Sequence, residues 1–188
     1  LSEGASWRSW RRLQESTIIT LELHNPAIAG FYDIPVENLS TVDLTAKALR
    51  DVHAEIVVAP DLGAAKLAEA HGAVLGLPVA LVHKTRVSGS VVRAHSVVGD
   101  VRGKRPLIVD DMISTAGTLE AATLALLEAG CSQPVSIAAT HGLLVGAAVE
   151  RLGKLPLQRL VLTNSVPQGH EGLAGVIREV DAGPLLGE

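Results

Sequence analysis

Two adjacent carboxylates, Asp110 and Asp111, follow the aliphatic run Leu107-Ile108-Val109 and lead through Met112 and Ile113 into Ser114-Thr115-Ala116-Gly117-Thr118. Small residues let a loop close around a phosphate group, while backbone N–H groups at the start of a helix supply donors and the positive end of a dipole. The hydroxyls of Ser114, Thr115 and Thr118 are further donors. The two carboxylates repel a phosphate and must do other work: they accept hydrogen bonds from vicinal sugar hydroxyls or act through a metal. A sugar with a terminal phosphate satisfies both halves. Asp110, Asp111, Ser114, Thr115, Ala116, Gly117 and Thr118 are therefore expected to bind a phosphorylated ribose. The competing reading makes Ser114 a helix cap and the acidic pair part of a solvated turn. The acidic pair and the small-residue run together argue against it.

Other polar residues stand where aliphatic runs end. Lys84 and Arg86 follow one run and open the stretch Val87 to Arg93, which contains Ser88, Gly89 and Ser90. A flexible loop with two cations can close over a triphosphate and stabilise charge that develops in a transition state. Taken alone, the same residues read as ordinary surface cations. His24 and Asp61 each end a predicted strand. An imidazole and a carboxylate make a partial Mg²⁺ shell, because magnesium keeps waters and borrows phosphate oxygens. Asp61 suits a hard cation better than His24, which could instead bond to a metal-bound water. His141 and Asn164 are left as either packing or pocket-lining residues. His53, His71, His83, His95 and His170 read as structural.

These residues need a scaffold, and the chain alternates short aliphatic runs with helical patterns. Strands are predicted at Thr17 to Leu23, Glu55 to Ala59, Pro78 to Val82, Pro106 to Val109, Pro134 to Ala139 and Arg159 to Leu162. Helices are predicted at Val42 to Val52, Ala64 to Leu75, Leu119 to Ala129 and Gly146 to Leu152, with Gly130 as a stop signal. Such alternation implies right-handed crossovers and an α/β fold, a mostly parallel twisted sheet flanked by helices. Ligands bind such sheets at the carboxyl ends of the strands, where the polar residues fall.

Composition narrows the function. Apolar residues are 47% of the 188 and aromatics only 2%, so Ala, Val, Leu and Ile must build the core, as buried parallel strands require. A formal net charge of -4 argues against a nucleic-acid partner held by a broad basic surface. Trp7 and Trp10 interleave with Arg8, Arg11 and Arg12, but the run is short and reads as a structural helix or a remnant. The single cysteine, Cys131, excludes an internal disulfide and fits a reducing compartment. No apolar run approaches the ~20 residues that span a bilayer, and no signal-peptide pattern opens the chain. No membrane partner and a cytoplasmic location are expected.

The run Val109-Asp110-Asp111-Met112-Ile113-Ser114-Thr115-Ala116-Gly117-Thr118 resembles the phosphoribosyl pyrophosphate signature shared by type I phosphoribosyltransferases and ribose-phosphate pyrophosphokinases. The flanking motifs resemble the second group. They are Leu21-Glu22-Leu23-His24, Gly30-Phe31-Tyr32-Asp33-Ile34-Pro35-Val36-Glu37-Asn38-Leu39, Ala59-Pro60-Asp61-Leu62-Gly63, His83-Lys84-Thr85-Arg86, Val98-Gly99-Asp100-Val101-Arg102-Gly103-Lys104, Ala139-Thr140-His141-Gly142 and Leu162-Thr163-Asn164-Ser165-Val166-Pro167. The resemblance implies a type I phosphoribosyltransferase-like fold and transfer of the pyrophosphoryl group of ATP to ribose 5-phosphate, giving phosphoribosyl pyrophosphate and AMP. It also implies catalytic roles for Lys84 and Arg86, Mg²⁺ held at Asp61 and His24, and a homo-oligomer.

Three regions are expected: a remnant or extension over 1–39, a phosphoribosyltransferase-like domain over 40–170, and a tail over 171–188 that packs back on the core. Family members are longer, with an amino-terminal domain that contributes to adenine binding. The match begins near Thr17, which implies a fragment or a diverged short form. Two alternatives stay open. One is a phosphoribosyltransferase, against which the His24 to Leu39 segment speaks. The other is a noncatalytic regulatory relative that binds the synthase, against which the pair Lys84 and Arg86 speaks.

Overall fold

The computed structural model describes residues 17–87, 92–167 and 172–187, with only the backbone for 84–87 and 92–95. The Trp7 to Arg12 run, Ser88 to Ser90 and His170 lie outside these residues. The chain divides between Ser40 and Thr41 into two compact units.

In the first unit, β1 (Ile18–Leu21) and β2 (Val36–Leu39) form a two-stranded parallel sheet, with Ile18 opposite Val36 and Leu21 opposite Leu39. Asn38 ties the pair together: its Oδ1 accepts from Thr20 Oγ1 at 3.1 Å and from the Leu23 amide at 3.0 Å. A 3-10 helix, Pro26–Phe31, connects the strands, and Asn25 caps it by accepting the Ala27 amide at 2.9 Å. This corrects the sequence expectation that Thr17 to Leu23 joins the main sheet. The run pairs instead with a neighbour, Val36–Leu39, too polar to be seen as a strand.

The second unit is built on seven strands in the order β5-β4-β3-β6-β7-β8-β9. They are β3 (Ile56–Ala59), β4 (Val79–Val87), β5 (Val92–Val98), β6 (Pro106–Ile113), β7 (Val135–Gly142), β8 (Leu157–Thr163) and β9 (Ile177–Val180). Every neighbouring pair is parallel except β4 with β5. The mostly parallel α/β architecture is thus as the alternating pattern implied.

The helices cover both faces, and the strand pleat sends successive side chains to each in turn. Val57, Ala59, Leu107, Val109, Ala138 and Val161 pack with Ala48 of α1 (Val42–Ala48) and Ala68 of α2 (Ala65–Leu75). Ile56, Val58, Ile108, Ile137, Leu160 and Leu162 pack with Leu119, Ala122 and Leu126 of α3 (Gly117–Glu128) and Leu152 of α4 (Ala148–Gly153). A short helix α5 (Gly183–Leu186) follows β9. No helix among the described residues is long and apolar enough to cross a membrane.

Several placements differ from the sequence expectation: β6 runs on to Ile113 rather than Val109, β7 runs on to Gly142 rather than Ala139, and β9 forms where no strand is expected. Helix α1 ends at Ala48 rather than Val52. Strand β4 runs on to Val87, because β5 pairs with it antiparallel through Lys84 opposite His95 and Val87 opposite Val92. Lys84 and Arg86 therefore lie within a strand of a hairpin, not at the start of a loop.

From β3 the chain winds outward to β4, and from β6 it winds the other way to β7, β8 and β9. The β3/β6 junction is the topological switch point, where an open α/β sheet leaves a crevice at its carboxyl edge. Asp61 follows β3, and Asp110 to Thr118 spans the end of β6 and the start of α3.

Candidate functional site

Strand β6 is buried from Pro106 to Val109, then becomes half-exposed at Asp110, Asp111 and Met112 before Ile113 is buried again. Beyond it Ser114 and Thr115 are exposed, Ala116 is buried, and Gly117 opens α3. The cap of α3 is Ala116, in the left-handed region at φ 60° and ψ 9°, with no side-chain cap bond. The capping role considered for Ser114 is therefore absent. A left-handed alanine costs about 1–2 kcal/mol, so the surrounding contacts must hold it.

They do so through the carbonyls. Ile113 O accepts from Leu144 N at 3.0 Å, Ser114 O from Val145 N at 3.0 Å, and Ala116 O from Glu120 N at 2.9 Å. Thr115 O accepts from Arg151 Nη1 at 3.0 Å. Four consecutive carbonyls are thus turned to protein donors. Among the described residues, the amides of Thr115, Ala116, Gly117 and Thr118 have no protein acceptor. A loop with its carbonyls tied back and its amides open can take an anion at the positive end of a helix.

Beside it lies concentrated negative charge. Burial, then the charge of Asp111 and a hydrogen bond with its side chain, push the Asp110 carboxyl up to about 8, and Asp61 adds to the rise. Each member of the pair also accepts the next amide along, Asp111 N to Asp110 Oδ1 at 3.0 Å and Met112 N to Asp111 Oδ1 at 2.9 Å. Asp61 shapes its own turn, with Oδ1 accepting from Gly63 N at 2.9 Å and Ala64 N at 3.3 Å. A Cβ on Gly63 would stand 3.1 Å from that oxygen, so a glycine suits the turn. Asp61 Oδ2 has no protein hydrogen bond among the described residues. A buried carboxyl whose proton affinity is raised by two carboxylate neighbours marks a place that suits hydroxyl donors or a hard divalent cation. No group of three or more His, Cys, Asp or Glu side chains among the described residues is close enough to hold a metal by itself. A cation here would need ligand oxygens and water.

The remaining candidates stand on other elements of the chain. His24 sits in the first unit, between β1 and the 3-10 helix, and not at the end of a strand of the main sheet. Lys84 and Arg86 lie on β4, beside β3. His141, opposite Met112 in the β6–β7 register, shares a 2.8 Å hydrogen bond between Nδ1 and Ser165 Oγ. Asn164 is an anchor: its Nδ2 donates to Asp181 Oδ1 at 2.8 Å, and its Oδ1 accepts the Ala182 amide at 2.9 Å. Arg151 and Glu120 went unnoticed in the sequence. Nothing in the run Ala147-Ala148-Val149-Glu150-Arg151-Leu152 distinguishes this arginine from a surface cation.

Fold and site together define a phosphoribosyltransferase-like α/β domain with a candidate sugar-phosphate loop at its switch point. Residues 91–188, just over half the chain, match the family described as phosphoribosyl synthetase-associated domain, and the chain belongs to that family. It is 37% identical over 175 residues to a ribose-phosphate pyrophosphokinase of Clostridium acetobutylicum, covering 91% of this chain and 54% of the relative. It is 38% identical over 174 residues to that of Aquifex aeolicus, with 91% and 55% covered. The chain spans about half the length of the curated relatives it matches. Among solved structures, a phosphoribosylpyrophosphate synthetase from Mycobacterium smegmatis superposes with a TM-score of 0.82 at 33% identity, covering 94% of this chain and 58% of that one. An APRTase from Giardia lamblia shares the fold alone, at a TM-score of 0.54 and 18% identity over 65% of this chain and 75% of that one.

Proposed function

We propose that this chain carries the ribose 5-phosphate site, and the residues for pyrophosphoryl transfer, of a ribose-phosphate pyrophosphokinase. The observation that carries the reading is the Ser114–Thr118 loop, with the four carbonyls of Ile113 to Ala116 tied back and its amides open, next to the acidic pair. The 5-phosphate accepts from the loop amides and from the hydroxyls of Ser114, Thr115 and Thr118. Asp110 and Asp111 accept from the ribose 2- and 3-hydroxyls and so fix the ring. Held at both ends, the sugar presents its 1-hydroxyl in one orientation, which is the main contribution a protein can make to phosphoryl-type transfer.

The 1-hydroxyl oxygen then bonds to the β-phosphorus of ATP. The bond from that phosphorus to the oxygen of the α-phosphate breaks, AMP leaves, and the hydroxyl proton is released. Lys84 and Arg86 bring positive charge to the phosphates as negative charge shifts to the leaving AMP. Asp61 would hold Mg²⁺, which when bound neutralises triphosphate charge. The one-sided hydrogen bonding of Asp61 suits that role, and a homo-oligomer in the cytoplasm completes the reading.

The test is to incubate the chain with Mg²⁺, ATP and ribose 5-phosphate and to measure AMP and phosphoribosyl pyrophosphate together. Equal amounts of both are expected. Neither product, with ribose 5-phosphate still bound, would leave a sugar-phosphate-binding protein. Pyrophosphate released from phosphoribosyl pyrophosphate only when a base is added would make the chain a phosphoribosyltransferase.

A further inference from the structure

Of the four tied-back loop carbonyls, three are held by backbone amides and only Thr115 O by a side chain, that of Arg151. We propose that Arg151 is a positioning residue for the phosphate cradle, acting through the Thr115–Ala116 peptide. The inference rests on the reading of Ser114–Thr118 as a phosphate site.

In a trans peptide the C=O and the following N–H point in opposite directions. With Thr115 O drawn to the guanidinium on α4, the Ala116 N–H is turned to the other side of the loop. Ala116 is in the left-handed region at φ 60°, which an alanine does not favour. A flip of this one peptide would relieve that strain. The same flip would replace an amide in the cradle by a carbonyl, whose negative end repels a phosphate. Arg151 therefore holds the loop against its own backbone preference.

Two further contacts suit this role. Arg151 Nε lies 3.5 Å from Glu120 Oε2 in the first turn of α3, so the guanidinium is braced between the loop and the helix it precedes. A Cβ on Gly117 would stand 3.2 Å from Arg151 Nη1, so a glycine there leaves the guanidinium room to reach Thr115. Because Glu120 offsets its charge, Arg151 acts by geometry more than by long-range attraction. It donates to the backbone and not to the phosphate, and is accordingly no catalytic residue.

The test measures ribose 5-phosphate affinity by calorimetry, and the Ala116 and Gly117 amide resonances as inorganic phosphate is added, in wild type, Arg151→Met, Arg151→Lys and Gly117→Ala. Losing a charge-assisted bond that sets the cradle should weaken ribose 5-phosphate about tenfold in Arg151→Met. The phosphate-induced shift of the Ala116 amide should be lost with it. Arg151→Lys keeps the charge but not the planar fork and should recover only part of the affinity. Gly117→Ala should weaken binding in the wild type and add little in the Arg151→Met background, since both act on one contact.

Affinity within twofold of wild type in Arg151→Met, with the amide shift intact, would overturn the proposal. So would full recovery in Arg151→Lys, which would reduce the role to charge. If Arg151→Met does not fold, normal binding by Gly117→Ala overturns it instead. A wild type that binds neither ribose 5-phosphate nor phosphate refutes the reading of the loop itself, and this inference with it.

Discussion

Asp110→Asn should gain stability over wild type as the pH rises. The folded chain keeps Asp110 protonated far above its ordinary 3.8, up to about 8, chiefly because burial strips water from the carboxylate and next because Asp111 repels a second charge. The unfolded carboxyl ionises near its ordinary value. Between about pH 4 and pH 8 the folded state therefore binds more protons than the unfolded one, and stability falls as pH rises through that window. At about 1.36 kcal/mol per pH unit, the interval from 3.8 to about 8 sets a ceiling of roughly 6 kcal/mol. Asp110 retains some solvent contact, so about 2–3 kcal/mol is expected between pH 5 and pH 9.

Asparagine has a similar shape and no proton to lose, so the variant escapes this penalty. In thermal unfolding the gap should widen in the variant's favour by about 4–12 °C over that range. The measurement is calorimetry of both proteins, without ligand, at each pH from 5 to 9. Taking the difference between them cancels groups that titrate in both. A gap that stays constant, or that moves toward wild type as pH rises, would refute the reasoning. The same variant should bind ribose 5-phosphate more weakly, because an amide nitrogen cannot accept from a ribose hydroxyl. Stability and function would then move in opposite directions, as they do where a site holds charge at a cost.

Three other outcomes are expected. Lys84→Ala should lower turnover far more than ribose 5-phosphate affinity, and steady-state kinetics with an unchanged rate would remove Lys84 from the chemistry. Gly99→Ala should destabilise the fold by about 2–4 kcal/mol in urea melts, because φ is +120° and the new methyl would stand 2.8 Å from Ala80 Cβ. Leu126→Ala, emptying a fully buried position under α3, should cost about 2–5 kcal/mol by the same measurement.

Arg151 and Asp110 illustrate different ways in which the proposed phosphate loop depends on its surroundings. Arg151 controls which way a peptide faces, and Asp110 controls how much negative charge stands next to it. Neither effect resides in the loop residues themselves. The small residues Ser114 to Thr118 permit the cradle, and the α4 arginine and the buried strand end give it direction and charge.

Contiguous features were legible without coordinates. The aliphatic runs at Glu55 to Ala59 and Pro106 to Val109 are local patterns of burial, and so disclosed the strands of a parallel sheet. The acidic pair and the small-residue loop are adjacent in sequence, and so disclosed the candidate sugar-phosphate residues. Pairing across distance was not legible. Val92 to Val98 carries Arg93, His95 and Ser96, and only its antiparallel partner makes it a strand and draws Lys84 and Arg86 out of a loop. Val36–Leu39 became a strand in the same way, by meeting β1. The charge of Asp61 reaches Asp110 because β3 and β6 are neighbours although far apart in sequence, and Arg151 reaches Thr115 because α4 packs beside α3. Residue type and local spacing thus determined which groups this chain has for chemistry. Only the tertiary structure decided which of them meet, because hydrogen-bond direction, desolvation and charge coupling arise from neighbours in space.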